Sequence, residues 1–100
     1  MENKNIIIIE TSLSRILISI IKNKKVFSKC LNSPKSIEQE LNLLIDQLMK
    51  KVNLNFIEIN LILVSLGPGS FTGIRIGISA AKALSLCMGA KIIGFSNFES

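Results

Sequence analysis

Residues 67–77 read Gly67-Pro68-Gly69-Ser70-Phe71-Thr72-Gly73-Ile74-Arg75-Ile76-Gly77. An apolar run, 61–66, leads into this stretch, and a long apolar pattern, 74–88, leads out of it. A buried strand, a glycine-rich loop and a helix, in that order, have the geometry of an anion site. The first N–H groups of a helix are unpaired, and its dipole is positive there. Gly67, Gly69 and Gly73 permit positive φ and let another backbone or a phosphate approach closely. Pro68 removes a donor and stiffens the turn, and Arg75 is expected in the first helical turn. The same residues also suit a tight structural turn. The dinucleotide fingerprint has two residues between its second and third glycines, and this loop has three. The Walker loop ends in Gly-Lys-Ser/Thr, where this one has Gly73-Ile74-Arg75. Phosphate cradle and structural turn both stand at this point.

Working outward, residues 4–10 form a near-continuous apolar run ending in Glu10-Thr11-Ser12. Continuous apolarity predicts a central strand covered on both faces. Residues 15–21 are β-branched and apolar and predict a second strand. The polar link 22–25, with Asn23 suited to positive φ, predicts a hairpin into a more exposed strand over 26–31. Asn32-Ser33-Pro34 then breaks the pattern. Ser36 with Gln39 resembles a capping box. Ile37, Leu41, Leu44, Leu48 and Val52 recur at helical spacing, with Glu38 and Glu40 at the start and Lys50 and Lys51 at the end, which suits the dipole. A helix over 36–52 follows, then a short turn at 56–59 and the strand 61–66.

The helix predicted over 74–88 has a narrow polar stripe of Arg75, Ser79 and Lys82. Gly77, Ala80, Ala81, Leu84 and Met88 lie on one side; Ile76, Ala83 and Cys87 lie on another. A helix apolar nearly all round is covered on more than one side. One side packs on the sheet; the other needs the first helix or a partner subunit. Gly89 fits the C-cap, residues 90–95 a last strand, and Ser96 with Glu99 the opening of a further helix. A third helix that only begins suggests a single lobe, 1–100, without a second one.

The chain has 100 residues, 48% hydrophobic, and a net charge of +5. It has no histidine, so no imidazole base or His-ligated metal site arises from these residues. No residue here qualifies as catalytic. The two cysteines, Cys30 and Cys87, read as buried small apolar residues. The lysines look scattered, and no aromatics interleave with them, so they read as a solvated surface rather than an RNA face. Nothing resembles a signal peptide, and Arg75, Lys82 and Lys91 interrupt the most apolar part. A cytoplasmic protein without a membrane segment is the expectation.

The segment 67–77, continued by Ala80, Ala81, Lys82, Ala83 and Leu84, resembles the signature of the TsaB (YeaZ) family. Ile7-Ile8-Ile9-Glu10-Thr11-Ser12 is similar to that family's first strand and hairpin motif. The resemblance covers the whole chain and about the first half of the family's length. It implies an α/β, actin-like (ribonuclease H-like) ATPase lobe: a mixed five-stranded sheet, two helices and the start of a third. It also implies a non-catalytic accessory role in forming threonylcarbamoyladenosine at position 37 of tRNAs that read codons beginning with A. TsaB pairs with the transferase subunit TsaD through the two helices of this lobe, and the pair recruits the ATPase TsaE; tRNA is met through the complex. The apolar helix sides read above, Gly77, Ala80, Ala81, Leu84 and Met88 with Leu41 and Leu48, are the expected partner face, and reuse of that patch predicts that the chain alone forms a homodimer. Any ATP, ADP or Mg belongs to the complex rather than to this chain alone. Glu10 replaces the family's usual Asp, and the His often found before the first helix is absent. The alternative reading is a nucleotide-binding or ATPase lobe that uses the glycine loop.

Overall fold

The computed structural model describes residues 4–96. Its strands are β1 (Ile6–Glu10), β2 (Arg15–Lys22), β3 (Lys25–Asn32), β4 (Leu61–Ser65) and β5 (Lys91–Phe95), with helices α1 (Ile37–Lys51) and α2 (Phe71–Met88). A 3-10 turn, Phe56–Glu58, precedes β4. The sheet order is β3-β2-β1-β4-β5. β1, β2 and β3 form an antiparallel meander, and β4 and β5 add in parallel to β1. The mixed sheet matches the expectation from the apolar runs, with β1 at its centre. Asn23 and Lys24 take positive φ of 54° and 65° in the β2–β3 turn, as the polar link predicts.

The register places Ile7 opposite Ile20 and Ile62, and Ile9 opposite Ile18 and Val64. These six, with Ile16, are at most 2% exposed. They form one face, against which α1 and α2 both pack. Strand alternation puts Ile6, Ile8, Leu17, Ile21, Leu61 and Leu63 on the other face, where they are half-buried. Coverage of β1 on both faces, expected from its continuous apolarity, is therefore met on one face only within the described residues.

α1 begins where predicted. Ser36 Oγ accepts from Gln39 N at 3.4 Å, but the return bond comes from Glu40, whose carboxylate accepts from Ser36 N and Lys35 N. Lys50 and Lys51 occupy the last turn, and Leu41, Ile45, Leu48 and Met49 are buried. α2 begins three residues earlier than its apolar pattern suggests. Ser70 is its N-cap, so Phe71, Thr72 and Gly73 are helical, and Arg75 falls in the second turn rather than the first. Gly89 caps its C-terminus at φ 72°. By length and composition α2 also suits a membrane span, with mean hydropathy 1.2. Its inner residues nevertheless pack on the sheet, and Arg75 and Lys82 interrupt it.

Two expectations are corrected. Cys30 and Cys87 are exposed, not buried. Cys30 lies opposite Leu17 on the sheet face that the helices leave open, and Cys87 is on the outer side of α2. The helix expected to open at Ser96 falls on 97–100, outside the described residues.

Candidate functional site

The glycine loop closes on the end of β1. A Cβ at Gly69 would collide with the Ser12 carbonyl, and one at Gly73 with the Thr11 carbonyl. Ser70 N donates to Ser12 O at 2.6 Å, and Thr11 Oγ1 donates to Gly73 O at 2.7 Å. Gly67 and Gly69 take φ 98° and 155°, conformations that favour glycine, whereas Gly73 lies within α2 and does not take the expected positive φ. The close approach that these glycines permit is thus made by the chain's own backbone.

The start of α2 is capped internally at Gly73. Ser70 Oγ accepts from Gly73 N at 3.1 Å, and Ser70 O accepts from Ile74 N at 2.9 Å. A helix start offers an anion its unpaired N–H groups; here the Ser70 cap takes that of Gly73, and among the described residues no cap bond takes Phe71 N or Thr72 N.

Glu10 is 5% exposed. Its Oε2 accepts from Ser12 N at 2.9 Å and also from Ser12 Oγ. Ser65 Oγ donates to Ser12 Oγ at 3.3 Å and accepts from Gly67 N at 3.2 Å. The donors therefore run from Gly67 through Ser65 and Ser12 to the buried carboxylate. Hydrogen bonds to a charged acceptor are the stronger kind, and a buried carboxylate needs them. Glu10, Thr11 and Ser12 tie β1 to β4 and α2. The sequence singles out the hairpin motif and the loop separately and offers no sign of Ser65 as the link between them beyond a hydroxyl ending an apolar strand.

The outer side of the lobe is different. Of the α2 residues, only Gly73, Gly77 and Ala81 are buried. A Cβ at Gly77 would lie 2.6 Å from Thr11 Oγ1 and meet Val64 and Ile9, and Ala81 is fully buried. Leu41 and Leu48 are fully buried in the core, with Leu84 and Met88 packed against it. Most of the predicted partner face therefore points inward, because a helix sits close to a sheet through its smallest residues. The outward surface is instead a groove of about 370 Å³ between the helices. Leu41, Asn42 and Glu38 line it from α1, and Thr72, Arg75, Ile76, Ser79, Ala80 and Ala83 line it from α2. Ala80 and Leu41 are the members of the predicted set that reach it. Arg75 stacks over the Phe71 ring at 5.7 Å, and Phe71 itself is 73% exposed.

A βββαβαβ order, a mixed sheet with both helices on one face, and a glycine turn seated on the first strand define an actin-like, ribonuclease H-like lobe. The sequence model of the family TsaD, tRNA N6-adenosine threonylcarbamoyltransferase, matches residues 32–100. The tRNA threonylcarbamoyladenosine biosynthesis protein TsaB of Buchnera aphidicola subsp. Schizaphis graminum is 32% identical over 94 residues, covering 94% of this chain and 45% of the relative. The TsaB of Buchnera aphidicola subsp. Baizongia pistaciae is 39% identical over 88 residues, covering 83% of this chain and 38% of the relative. YeaZ from Pseudomonas aeruginosa superposes with a TM-score of 0.90 at 20% identity, covering 94% of this chain and 44% of that one. The chain belongs to this TsaD-related family, among its TsaB/YeaZ members. It spans less than half the length of these relatives.

Proposed function

We propose that the chain is a non-catalytic accessory subunit in the formation of threonylcarbamoyladenosine at position 37 of tRNAs reading A-starting codons. It pairs with TsaD through the outer surfaces of α1 and α2. The observation that carries this reading is the unpartnered outer side of α2. The helix is apolar along its length, yet only three small residues are buried, and the groove beside them is open to another helix. Leu43 on α1 and Phe71 and Leu86 on α2 are 56%, 73% and 88% exposed. Val26, Ile57 and Leu66 are exposed elsewhere on the lobe, so what sets the helix side apart is the groove between α1 and α2, and exposed apolar side chains beside a groove mark an interaction site. In this reading the pair recruits TsaE, nucleotide and Mg act in the complex, and the assembly works in the cytoplasm. Without TsaD the same surface supports a homodimer, since an isologous contact reuses one patch.

The ATPase reading has less support. The glycines of the loop are packed against the Thr11 and Ser12 backbone, and the carboxylate of Glu10 is held by Ser12. The reading is tested by co-purification of the tagged chain with TsaD from cells that express both. A stable stoichiometric pair is expected. Recovery of the folded chain without TsaD would contradict it.

A further inference from the structure

The lysines that look scattered in the sequence are gathered by the fold. β1, β4 and β5 all begin at the end of the sheet opposite the glycine loop, where Ile6 pairs with Leu61 and Leu61 with Lys91. The β2–β3 turn lies at the same end, because Ile21 pairs with Ile6 and Lys22 with Lys25. α1 also finishes there: Lys22 Nζ donates to Val52 O at 2.6 Å and to Asn53 O at 3.2 Å, just past Lys51. Asn60 N donates to Asn5 O at 2.8 Å, and Lys91 N to Asn60 O at 3.3 Å. The hairpin lysines, the α1 lysines, Lys4 and Lys91 thus share one end of the molecule.

The charges at that end do not all remain available. Lys22 caps the carbonyls after α1, and Lys50 pairs with Asp46 at 3.1 Å. Glu58 is exposed at this end, and its carboxylate accepts from Asn55 N at 2.8 Å as the cap of the 3-10 turn. Glu10, Glu38 and Glu40 belong to the opposite end, at the close of β1 and the start of α1. Lys4, Lys24, Lys25, Lys51 and Lys91 are all exposed, and among the described residues no carboxylate lies within 4 Å of them. Among the described residues, lysines outnumber carboxylates at this end, which is built from loops and strand starts. Asn23, Asn53 and Asn60, exposed among the lysines, add neutral hydrogen-bonding groups.

We propose that this basic end is a contact surface for the phosphate backbone of RNA, centred on Lys24, Lys25 and Lys51. The choice of RNA rests on the tRNA reading above; the surface itself rests on the geometry. Clustered lysines bind a polyanion by displacing its condensed counterions, with little dependence on base sequence. The surface lies at the far end of the sheet from the glycine loop, so RNA can meet it while the helix groove is occupied.

The test is fluorescence anisotropy of the chain with an unmodified tRNA transcript between about 50 and 200 mM salt. Three phosphate contacts give a slope of log K against log salt of about −2 to −3. The variant Lys24→Ala/Lys25→Ala/Lys51→Ala is expected to lose most of that slope and at least about tenfold in affinity at low salt. Lys35→Ala, at the other end, is expected to bind like the parent. Circular dichroism confirms that both variants fold. A parent without salt-dependent binding, a triple variant that binds like the parent, or a parent that binds phosphatidylserine vesicles but not the transcript would each overturn the proposal. Retention of TsaD is measured in parallel. If pairing holds and the RNA slope is unchanged in the triple variant, this inference fails alone. If the lysines govern RNA binding but TsaD does not pair, the accessory-subunit reading fails and the basic surface stands.

Discussion

Ala81 and Ala83 are two residues apart on one helix and carry the same side chain, yet they live in different environments. Ala81 is fully buried between α2 and the sheet, one turn beyond Gly77, which sits against Thr11, Val64 and Ile9. Ala83 is exposed and lines the groove toward α1. A helix advances about 100° per residue, so positions two apart point to nearly opposite sides. The inner side of α2 builds the lobe, and its residues are small because backbone must approach backbone. The outer side contributes little to the lobe's own packing. Its apolar residues are free to serve a second molecule.

That difference is broken most severely at Ala81. Ala81→Glu would bury an unpaired charge, at a cost of several kcal/mol, against the roughly 5–15 kcal/mol that holds a domain together. We expect loss of the cooperative thermal transition by circular dichroism. A variant that melts like the parent would mean α2 does not pack as described. Gly73→Ala comes next. Its Cβ would meet the Thr11 carbonyl, and overpacking of this kind costs about 1–3 kcal/mol. For a chain of this size each kcal/mol lowers Tm by about 4–8 °C, so a drop of at least about 5 °C is expected in calorimetry. An unchanged Tm would show that the loop and β1 are not in close contact. Ser70→Ala is the mildest of the three. It removes the cap on Gly73 N, a loss of about 1 kcal/mol, visible as a lower midpoint in urea with the same slope. No shift in the midpoint would mean that solvent replaces the cap without penalty.

The inner side was partly legible in the sequence. Apolar runs gave the five strands, and Ser36 with Leu41, Leu44 and Leu48 gave α1, because buried strands and amphipathic helices carry strong periodic signals. The start of α2 was less legible. Three glycines around Ser70 read as loop, although Ser70 standing three residues before Gly73 is an N-cap pattern. Which side of α2 faces inward was not legible at all. A helix apolar all round has no polar face to orient it, so Gly77 and Ala81 were assigned outward. The sheet reverses that assignment because only its closeness demands small side chains. The exposure of Cys30 depends on strand alternation and on which sheet face the helices cover. The gathering of Lys24, Lys25, Lys51 and Lys91 depends on strand order, which no local pattern encodes.

The central claim is that the two sides of α2 have separate tasks, and Ala83→Glu tests it most directly. The side chain would enter the groove, where it reaches water in the free chain, so stability should stay within about 0.5 kcal/mol of the parent. In a helix-to-helix contact the same carboxylate would be desolvated without a partner, at a cost of several kcal/mol. The measurement is pull-down of TsaD by the parent and by Ala83→Glu, with thermal melting of both. The account predicts equal melting and loss of TsaD from the variant alone. A variant that melts like the parent and retains TsaD at the parent's level would contradict it, and would place the partner surface away from the outer face of α2.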